Sequence, residues 1–304
     1  MDTVSTPNQQ QGPLPLFEIL RQVYDSSILK PVMPYDPNLL ISKRRLLACE
    51  GGRPAEIRRL VALWWSPSSS DSAPAPMSQS EIEHKIEELF YFATLVLVGT
   101  GKPNRPPRLD FNLMHVLTAT LFVPSILEAL NLANKRRLLE AMLLEVIMQV
   151  VTRGRPRVDP LLVMSSFTAS PHPPAISQGR PNHNTGDAIG TEDDCINPWL
   201  AIIEESTHAP DAHVVKAIRS LCYAAKLYGE TPAGSVPGAF RGGAGDGKEE
   251  THVGMGRLDG TLFVRAAGIV MDVLGWVTHG QKAGTWDRSC LGYEEAWAQG
   301  NEAK

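Results

Sequence analysis

Apolar residues recur along this chain with the three- and four-residue spacing of α-helices, and the two-residue alternation of strands is scarce. In one segment Ile82, Ile86 and Leu89 share a helical face, and the pair Ser80 and Glu83 has the spacing of a capping box at its start. A Gly-Gly pair ends an earlier apolar segment, as is common after a helix. The pattern predicts an all-α fold, a multi-helix globular domain.

The predicted helices alternate with polar segments rich in proline and glycine. We expect helices at approximately 39–50, 54–65, 80–97, 110–121, 124–151, 199–205, 211–228 and 258–276, the fifth of them jointed near 131–134. Long Pro/Gly-rich loops are expected at 66–77, 171–196 and 229–257, and the last two are candidate lids over a site. Residues 1–15 are predicted to be a disordered tail before a single helical domain at 16–304.

Composition argues against several classes of protein. The chain carries a formal net charge of -4 with scattered Lys and Arg, unlike a nucleic-acid-binding surface. Its most apolar stretch, 138–151, contains charged residues and is shorter than the roughly 20 residues that cross a bilayer. No apolar signal segment follows Met1, and the four cysteines are far apart without CxxC spacing. We therefore expect a soluble cytoplasmic protein with no nucleic-acid or membrane partner.

His115 is the first candidate site residue. It stands among apolar residues in the segment FNLMHVL (111–117), so we expect its ring on or beside the core-facing stripe of a helix. A buried imidazole requires a hydrogen-bond partner, because an unpaired polar group in a core costs about 1–3 kcal/mol. The pattern alone leaves two interpretations open, a structural histidine and a metal ligand, and it favours the structural one.

His213 and Lys216 form a second candidate pair. Their three-residue spacing places both side chains on one helix face, about one turn apart. Lysine binds a metal only when it is deprotonated, or when carbon dioxide adds to give a carbamate with oxygen donors. The alternative, which spacing alone favours, is a solvated helix face. His208, just before Pro210, and His252, beside a glycine-rich loop, are candidates for contacting a substrate or belonging to a lid.

Several segments, in order along the chain, resemble the fungal questin oxidase-like family, which includes an oxygenase of the aflatoxin pathway. No single segment is decisive, but the ordered set is specific, and it covers most of the chain from about residue 16 onward. The matching segments are LKPVMPYDPNLLIS (29–42), EGGRPAEIRRLVALW (50–64), RLDFNLMHVLTATLFVPS (108–125), RGRPRVDPLLVMSS (153–166), NPWLAIIEESTHAPDAHVVKAIRSLCYAA (197–225) and LDGTLFVRAAGIVMDVLGWVTHGQKAGTWDRSCLGYEEAW (258–297).

The resemblance implies an oxidoreductase of secondary metabolism that cleaves a polycyclic aromatic polyketide, typically an anthraquinone. Some family members are NADPH-dependent monooxygenases of the Baeyer–Villiger type, although this sequence has no dinucleotide fingerprint. At least one relative resembles a non-haem iron dioxygenase whose iron is held by histidines and a carboxylated lysine. His115 falls on the family's FxLMH position, and His213 and Lys216 fall on its HVxKxxR segment. The resemblance therefore favours these three residues as ligands of non-haem iron.

Two histidine-bearing segments that family members usually carry, an HNH-type helix and an HPxIHxGxxxE stretch, do not occur in this sequence. We therefore expect a chain shortened at its N-terminus, with the missing ligands absent or supplied by a partner chain. Two hypotheses follow: an oxygenase that is complete only with those ligands, and a non-catalytic helical protein that binds a polyketide or acts as a scaffold.

Overall fold

The computed structural model describes residues 12–65, 77–174, 197–242 and 249–298. Within these ranges the regular secondary structure is helical, and the β pairing consists of two isolated bridges, Asp110 with Asp287 and Phe240 with Glu250. The predicted all-α fold is confirmed.

Most of the described helices lie at predicted positions, whereas those at Leu16–Asp25, Pro160–Ser166 and Glu295–Ala298 lie where no helix was predicted. In chain order they are α1 (Leu16–Asp25), α2 (Ile41–Ala48), α3 (Arg53–Ala62), α4 (Gln79–Val98), α5 (Phe111–Thr120), α6 (Val123–Glu128), α7 (Leu132–Thr152), α8 (Pro160–Ser166), α9 (Trp199–His208), α10 (Ala212–Tyr228), α11 (Leu262–Leu274) and α12 (Glu295–Ala298). Short 3-10 turns occur at Met255–Arg257 and Val277–His279.

Side-chain caps fix several helix starts. The carboxylates of Asp110, Asp159 and Asp211 accept hydrogen bonds from backbone N–H groups in the first turns of α5, α8 and α10. The N-cap of α4 is Ser78, two residues before the predicted Ser80. The hydroxyl of Ser78 accepts the N–H of Glu81, and the helix begins at Gln79. Both serines precede a glutamate by three residues, so the sequence pattern alone could not choose between them.

The core is organised around α4. Every residue from Glu88 to Val98 is buried, so this half of the helix is enclosed by its neighbours on all sides. It packs on α5 and α11, while α10 packs along α11 and also touches α5. This arrangement brings the exposed faces of α5 and α10 beside each other.

A buried ion pair anchors the start of α5. Asp110 Oδ2 lies 2.7 Å from Arg153 Nε, and both side chains are almost fully excluded from solvent. The other oxygen of Asp110 accepts the N–H groups of Asn112 and Leu113. Burial raises the pKa of Asp110, while Arg153 and the two backbone donors act in the opposite direction. One carboxylate therefore caps α5 and compensates a buried guanidinium at the end of α7.

Much of the predicted loop structure falls outside the described residues. This applies to 1–11 of the predicted tail, to 66–76, to 175–196 and to 243–248. In the described part of the predicted tail, the N–H of Leu14 donates a hydrogen bond to the carbonyl of Leu63. In the described part of the 229–257 loop, Thr251 is buried and its N–H donates to the carbonyl of Ala239.

One stretch, Phe111–Glu128, is apolar enough by length and composition to cross a membrane, with 39% of it buried. The chain does not form one helix there, because a turn at Leu121 and Phe122 separates α5 from α6. Each piece alone is far shorter than the roughly 20 residues that a membrane-spanning helix requires.

We predict that Asp110→Ala lowers the free energy of unfolding by about 3–5 kcal/mol, because it leaves the buried charge of Arg153 without a partner. A urea titration measures this loss. The control is Asp36→Ala, which removes an exposed carboxylate that accepts one backbone N–H, that of Asn38. We expect the control to cost about 1 kcal/mol or less. Equal losses in the two variants would show that the buried pair is not a principal anchor.

Candidate functional site

His115 on α5 and His213 on α10 lie beside each other. Their ring centroids are 5.2 Å apart, with an interplanar angle of 62°. The ring of Phe111 contacts both edge-on, with centroid distances of 4.6 Å to His115 and 4.9 Å to His213. Two histidines separated by almost a hundred positions in the sequence therefore form one cluster, supported on one side by an aromatic ring.

The hydrogen bonds of the two rings fix which nitrogen carries a proton. Nδ1 of His115 lies 2.7 Å from the carbonyl oxygen of Phe111, and Nδ1 of His213 lies 2.7 Å from Oδ1 of Asp211. Both acceptors lack a proton to give, so each Nδ1 must be the donor. In the neutral form of each ring the lone pair is then on Nε2, the nitrogen that remains available to a ligand.

Lys216 joins the two histidines around one cavity of about 460 Å³, the histidine cavity. Part of its wall is polar or cationic, with Thr118, Ser220, Arg219 and Lys216 itself. Apart from the two histidines, the rest of the wall is apolar. The complete lining is His115, Thr118, Ala119, Leu121, Phe122, His213, Lys216, Arg219 and Ser220. The volume lies in the range of small-molecule sites.

The predicted burial of His115 was wrong, because its side chain is exposed. Leu113, Leu117 and Thr120 form the buried face of α5 at helical spacing, whereas His115 lies on another face, which it shares with Ala119. Apolar neighbours in sequence therefore do not place the ring in the core. Lys216 is also exposed, and His213 is partly buried.

Charges around the pair restrain its geometry. Partial burial alone would raise the pKa of Asp211, but hydrogen bonds from the backbone and ring of His213, together with the charge of Arg288, hold that pKa below its usual value. The guanidinium of Arg288 lies 3.7 Å from the centre of the Phe111 ring. Asp211 is thus an ionised acceptor that orients His213.

The two remaining candidates lie elsewhere. His208 is exposed in the last turn of α9 and does not line the histidine cavity. His252 packs edge-on against Phe17 and Tyr24, with centroid distances of 6.1 Å and 5.8 Å. It lines a different cavity, and neither of its ring nitrogens has a hydrogen-bond partner in the described part of the chain.

The potential metal donors at the histidine cavity are the two Nε2 atoms and the amine of Lys216. Within the described ranges no group of three His, Cys, Asp or Glu side chains converges, and Lys216 is the further candidate donor on this cavity. Two neutral imidazoles with orienting hydrogen bonds fit a divalent transition metal, and a carbamate on Lys216 would add oxygen donors. The set is compatible with iron, with coordination positions left over.

Sequence reasoning missed Phe111, Asp211 and Arg219. Asp211 follows a proline and is the first residue of the helix predicted at 211–228, where an aspartate is a typical N-cap that could have been recognised. Arg219 lies one turn after Lys216 and could have been placed on the same face by spacing. Phe111 gave no such signal, because its contact with His213 depends on how α5 and α10 pack.

A family model described as Questin oxidase-like matches residues 2–221 of the chain. The chain belongs to the questin oxidase-like family. No functionally curated protein matches it significantly. The questin oxidase-like match includes His115, His213 and Lys216, and also His208, whereas His252 lies beyond it. The family indicates an oxidase or oxygenase role, and the histidine cavity lies entirely within the matched residues.

The unpaired ring of His252 predicts an acid-sensitive fold. Burial lowers the pKa of His252 to about 4, well below the value near 6.5 of an unfolded chain. The unfolded state therefore binds more protons between these values, and stability must fall as the pH is lowered from about 6.5 to 4. Over this pH range we expect the His252→Phe variant to lose roughly 2–3 kcal/mol less free energy of unfolding than the wild type.

Urea titrations at several pH values measure the effect. At pH 7 the Phe variant should be as stable as the wild type, because the new ring fits between Phe17 and Tyr24 and no unpaired nitrogen remains. The control is His208→Gln, which alters an exposed histidine and should leave the pH dependence unchanged. If the Phe variant loses stability with acid as steeply as the wild type, the buried neutral ring is not the cause.

Proposed function

We propose that the protein is an oxygenase that cleaves an aromatic polyketide of the anthraquinone type, with non-haem iron bound at the histidine cavity by His115, His213 and Lys216. The observation that carries the proposal is the convergence of two imidazoles, each with Nε2 available, on one cavity that also contains the lysine. Membership of the questin oxidase-like family supports the reaction class.

Each residue has a defined part in the proposed site. When bound, iron(II) supplies the reactivity toward dioxygen that protein side chains lack. His115 and His213 hold it as neutral imidazoles, oriented by the Phe111 carbonyl and the Asp211 carboxylate. The neutral amine of Lys216 adds to carbon dioxide and releases one proton, and the resulting carbamate provides anionic oxygen donors. Substrate or a partner chain would supply further ligands.

The cavity suits a flat, hydroxylated aromatic molecule. Leu121 and Phe122 give it an apolar wall, and Arg219 provides a cation for a phenolate or quinone oxygen. Thr118 and Ser220 also lie on the lining, although the hydroxyl of Ser220 donates to the Lys216 carbonyl. We place the reaction in the cytoplasm, because Cys49, Cys222 and Cys290 are all free thiols.

We predict that the purified protein, titrated anaerobically with iron(II) in bicarbonate buffer, binds about one iron per chain. His115→Ala and His213→Ala should each weaken iron binding by roughly 10-fold or more, since each removes one of three donors. Lys216→Ala should abolish the dependence on bicarbonate. The control is His208→Ala, which removes an exposed histidine away from the cavity. Metal analysis after desalting measures the stoichiometry.

Oxygen consumption with a hydroxylated anthraquinone then tests catalysis. Uptake without NADPH would indicate a dioxygenase, and uptake only with NADPH would indicate a monooxygenase. If the reconstituted wild type retains no iron, the metal-site proposal is wrong. If it binds iron and the anthraquinone but consumes no oxygen, the chain is a ligand-binding protein or requires a partner.

We also predict that Asp211 acts by positioning His213. Asp211→Asn keeps an acceptor for the ring N–H but removes the negative charge, and it should weaken iron binding by about 10-fold to 100-fold. The side chain also caps α10, and asparagine is an equally good cap, so the melting temperature should change little. Unchanged iron affinity in this variant would show that the carboxylate does not tune the ring.

A further inference from the structure

A second cavity, of about 540 Å³, lies apart from the histidine cavity and shares no lining residue with it. We call it the arginine cavity, after Arg155 and Arg157 on its wall. The wall is built from α1, from the segments that follow α4 and α7, and from two loops nearer the C-terminus. Its lining is Tyr24, Pro31, Thr100, Gly101, Lys102, Gly154, Arg155, Arg157, Val158, Asp159, Leu161, His252, Val253, Leu291, Gly292 and Glu294.

Two polar side chains on this wall lack hydrogen-bond partners among the residues that the structure describes. Thr100 is only 3% exposed and its hydroxyl is unpaired. Both ring nitrogens of His252 are buried and unpaired as well. Folding does not normally leave buried donors and acceptors unused, because each costs free energy. Both groups belong to residues on the wall of one cavity, where a ligand would supply the missing hydrogen-bond partners.

The charges on the wall indicate the sign of that ligand. Arg155 donates through Nη1 to the carbonyl oxygens of Val23, Tyr24 and Ser26, none of which carries a negative charge. Arg157 lies over the ring of Tyr24, 4.9 Å from its centroid, and makes no ion pair with a carboxylate in the described residues. The pKa of Arg155 is lowered mainly by burial and also by the nearby charge of Arg157. The two guanidinium groups therefore repel each other, and the carboxylate that acts on Arg155 from nearby, Asp25, is ion-paired with Arg21.

The acidic side chains of the cavity are already engaged. Asp159 accepts the N–H of Leu162 and caps α8, and Glu294 is paired with Lys102. Neither carboxylate is within hydrogen-bonding distance of the two arginines. A cationic ligand would meet a net positive wall, whereas an anion would relieve the repulsion.

We propose that the arginine cavity binds a small organic anion through a carboxylate or phosphate group. Arg157 and Arg155 contact the oxyanion, and Thr100 and His252 provide neutral hydrogen bonds. The apolar side chains of Val158, Leu161 and Leu291 pack against the body of the ligand. This site goes beyond the proposed oxygenase reaction and does not depend on it.

Isothermal titration calorimetry on the full chain, in a buffer free of phosphate, tests the proposal with three probes. Inorganic phosphate and benzoate represent the two sources of an oxyanion, and benzamide is the uncharged control. We expect binding of phosphate, benzoate or both, and none of benzamide. A response to phosphate alone assigns a phosphate group, and a response to benzoate alone assigns a carboxylate on an apolar body.

Arg157→Gln should weaken the binding roughly 10-fold or more, because it removes the unpaired cation. Thr100→Val preserves the shape of the buried side chain and should weaken binding several-fold, without lowering the melting temperature of the ligand-free protein. The matched control is Arg58→Gln, an exposed arginine on α3 outside the cavity, which should bind as the wild type does.

Three results would overturn the proposal. They are the absence of binding of both anions at millimolar concentration, equal binding of benzamide and benzoate, and unchanged affinity in Arg157→Gln. Arg157 is exposed and makes no hydrogen bond within the described residues, so its variant should fold. If it does not fold, Thr100→Val decides, because the loss of an unpaired hydroxyl can weaken binding only if the ligand uses it.

Discussion

Both cavities depend on the buried ion pair between Asp110 and Arg153. The carboxylate of Asp110 caps α5, which carries His115, and it is paired with Arg153 at the end of α7. The backbone on either side of Asp110 pairs with Asp287, since Phe111 donates to the Asp287 carbonyl and Asp287 donates to that of Leu109. The residue after Asp287 is Arg288, which covers the Phe111 ring. The start of α5, the end of α7 and the C-terminal segment therefore meet at Asp110, the first two through its side chain and the third through the neighbouring backbone.

The two cavities use opposite electrostatic arrangements. At the histidine cavity, the hydrogen bonds of the two rings leave their Nε2 atoms available near the surface, and the carboxylate of Asp211 orients one ring. At the arginine cavity, Arg155 and Arg157 make no ion pair with a carboxylate within the described residues, and the buried hydroxyl of Thr100 lies on the same wall. The first arrangement favours a Lewis-acidic metal, and the second favours an anion.

Sequence patterns predicted the helices well because caps and spacing are local. Asp110, Asn131 and Asp211 stand at the starts where the pattern changes, and each caps the helix that follows. The convergence of His213 and Lys216 on one face also follows from spacing alone. The exposure of His115 did not, because it depends on which face of α5 packs against α4.

The arginine cavity could not be predicted from sequence for a related reason. Three separate loops contribute His252, Thr100 and Arg157 to this cavity, and the local sequence of one loop does not predict its contact with the others. Its glycine-rich neighbourhood made His252 a candidate for contacting a ligand, but did not indicate which ligand. Only tertiary packing reveals that its nitrogens are unpaired, and an unpaired group is a property of the surroundings rather than of the residue.

Arg153 connects the surroundings of the two cavities, although the cavities share no lining residue. Its guanidinium holds Asp110 at the start of α5, and its backbone leads directly into Gly154 and Arg155 on the wall of the arginine cavity. Loss of the ion pair would therefore disturb both walls at once. Arg157 and His213, in contrast, point into one cavity each and share no partner, so their substitutions should act independently. If the effects of the two substitutions on ligand binding add in the double variant, the chain has two separate sites on one scaffold, and not two ends of a single site.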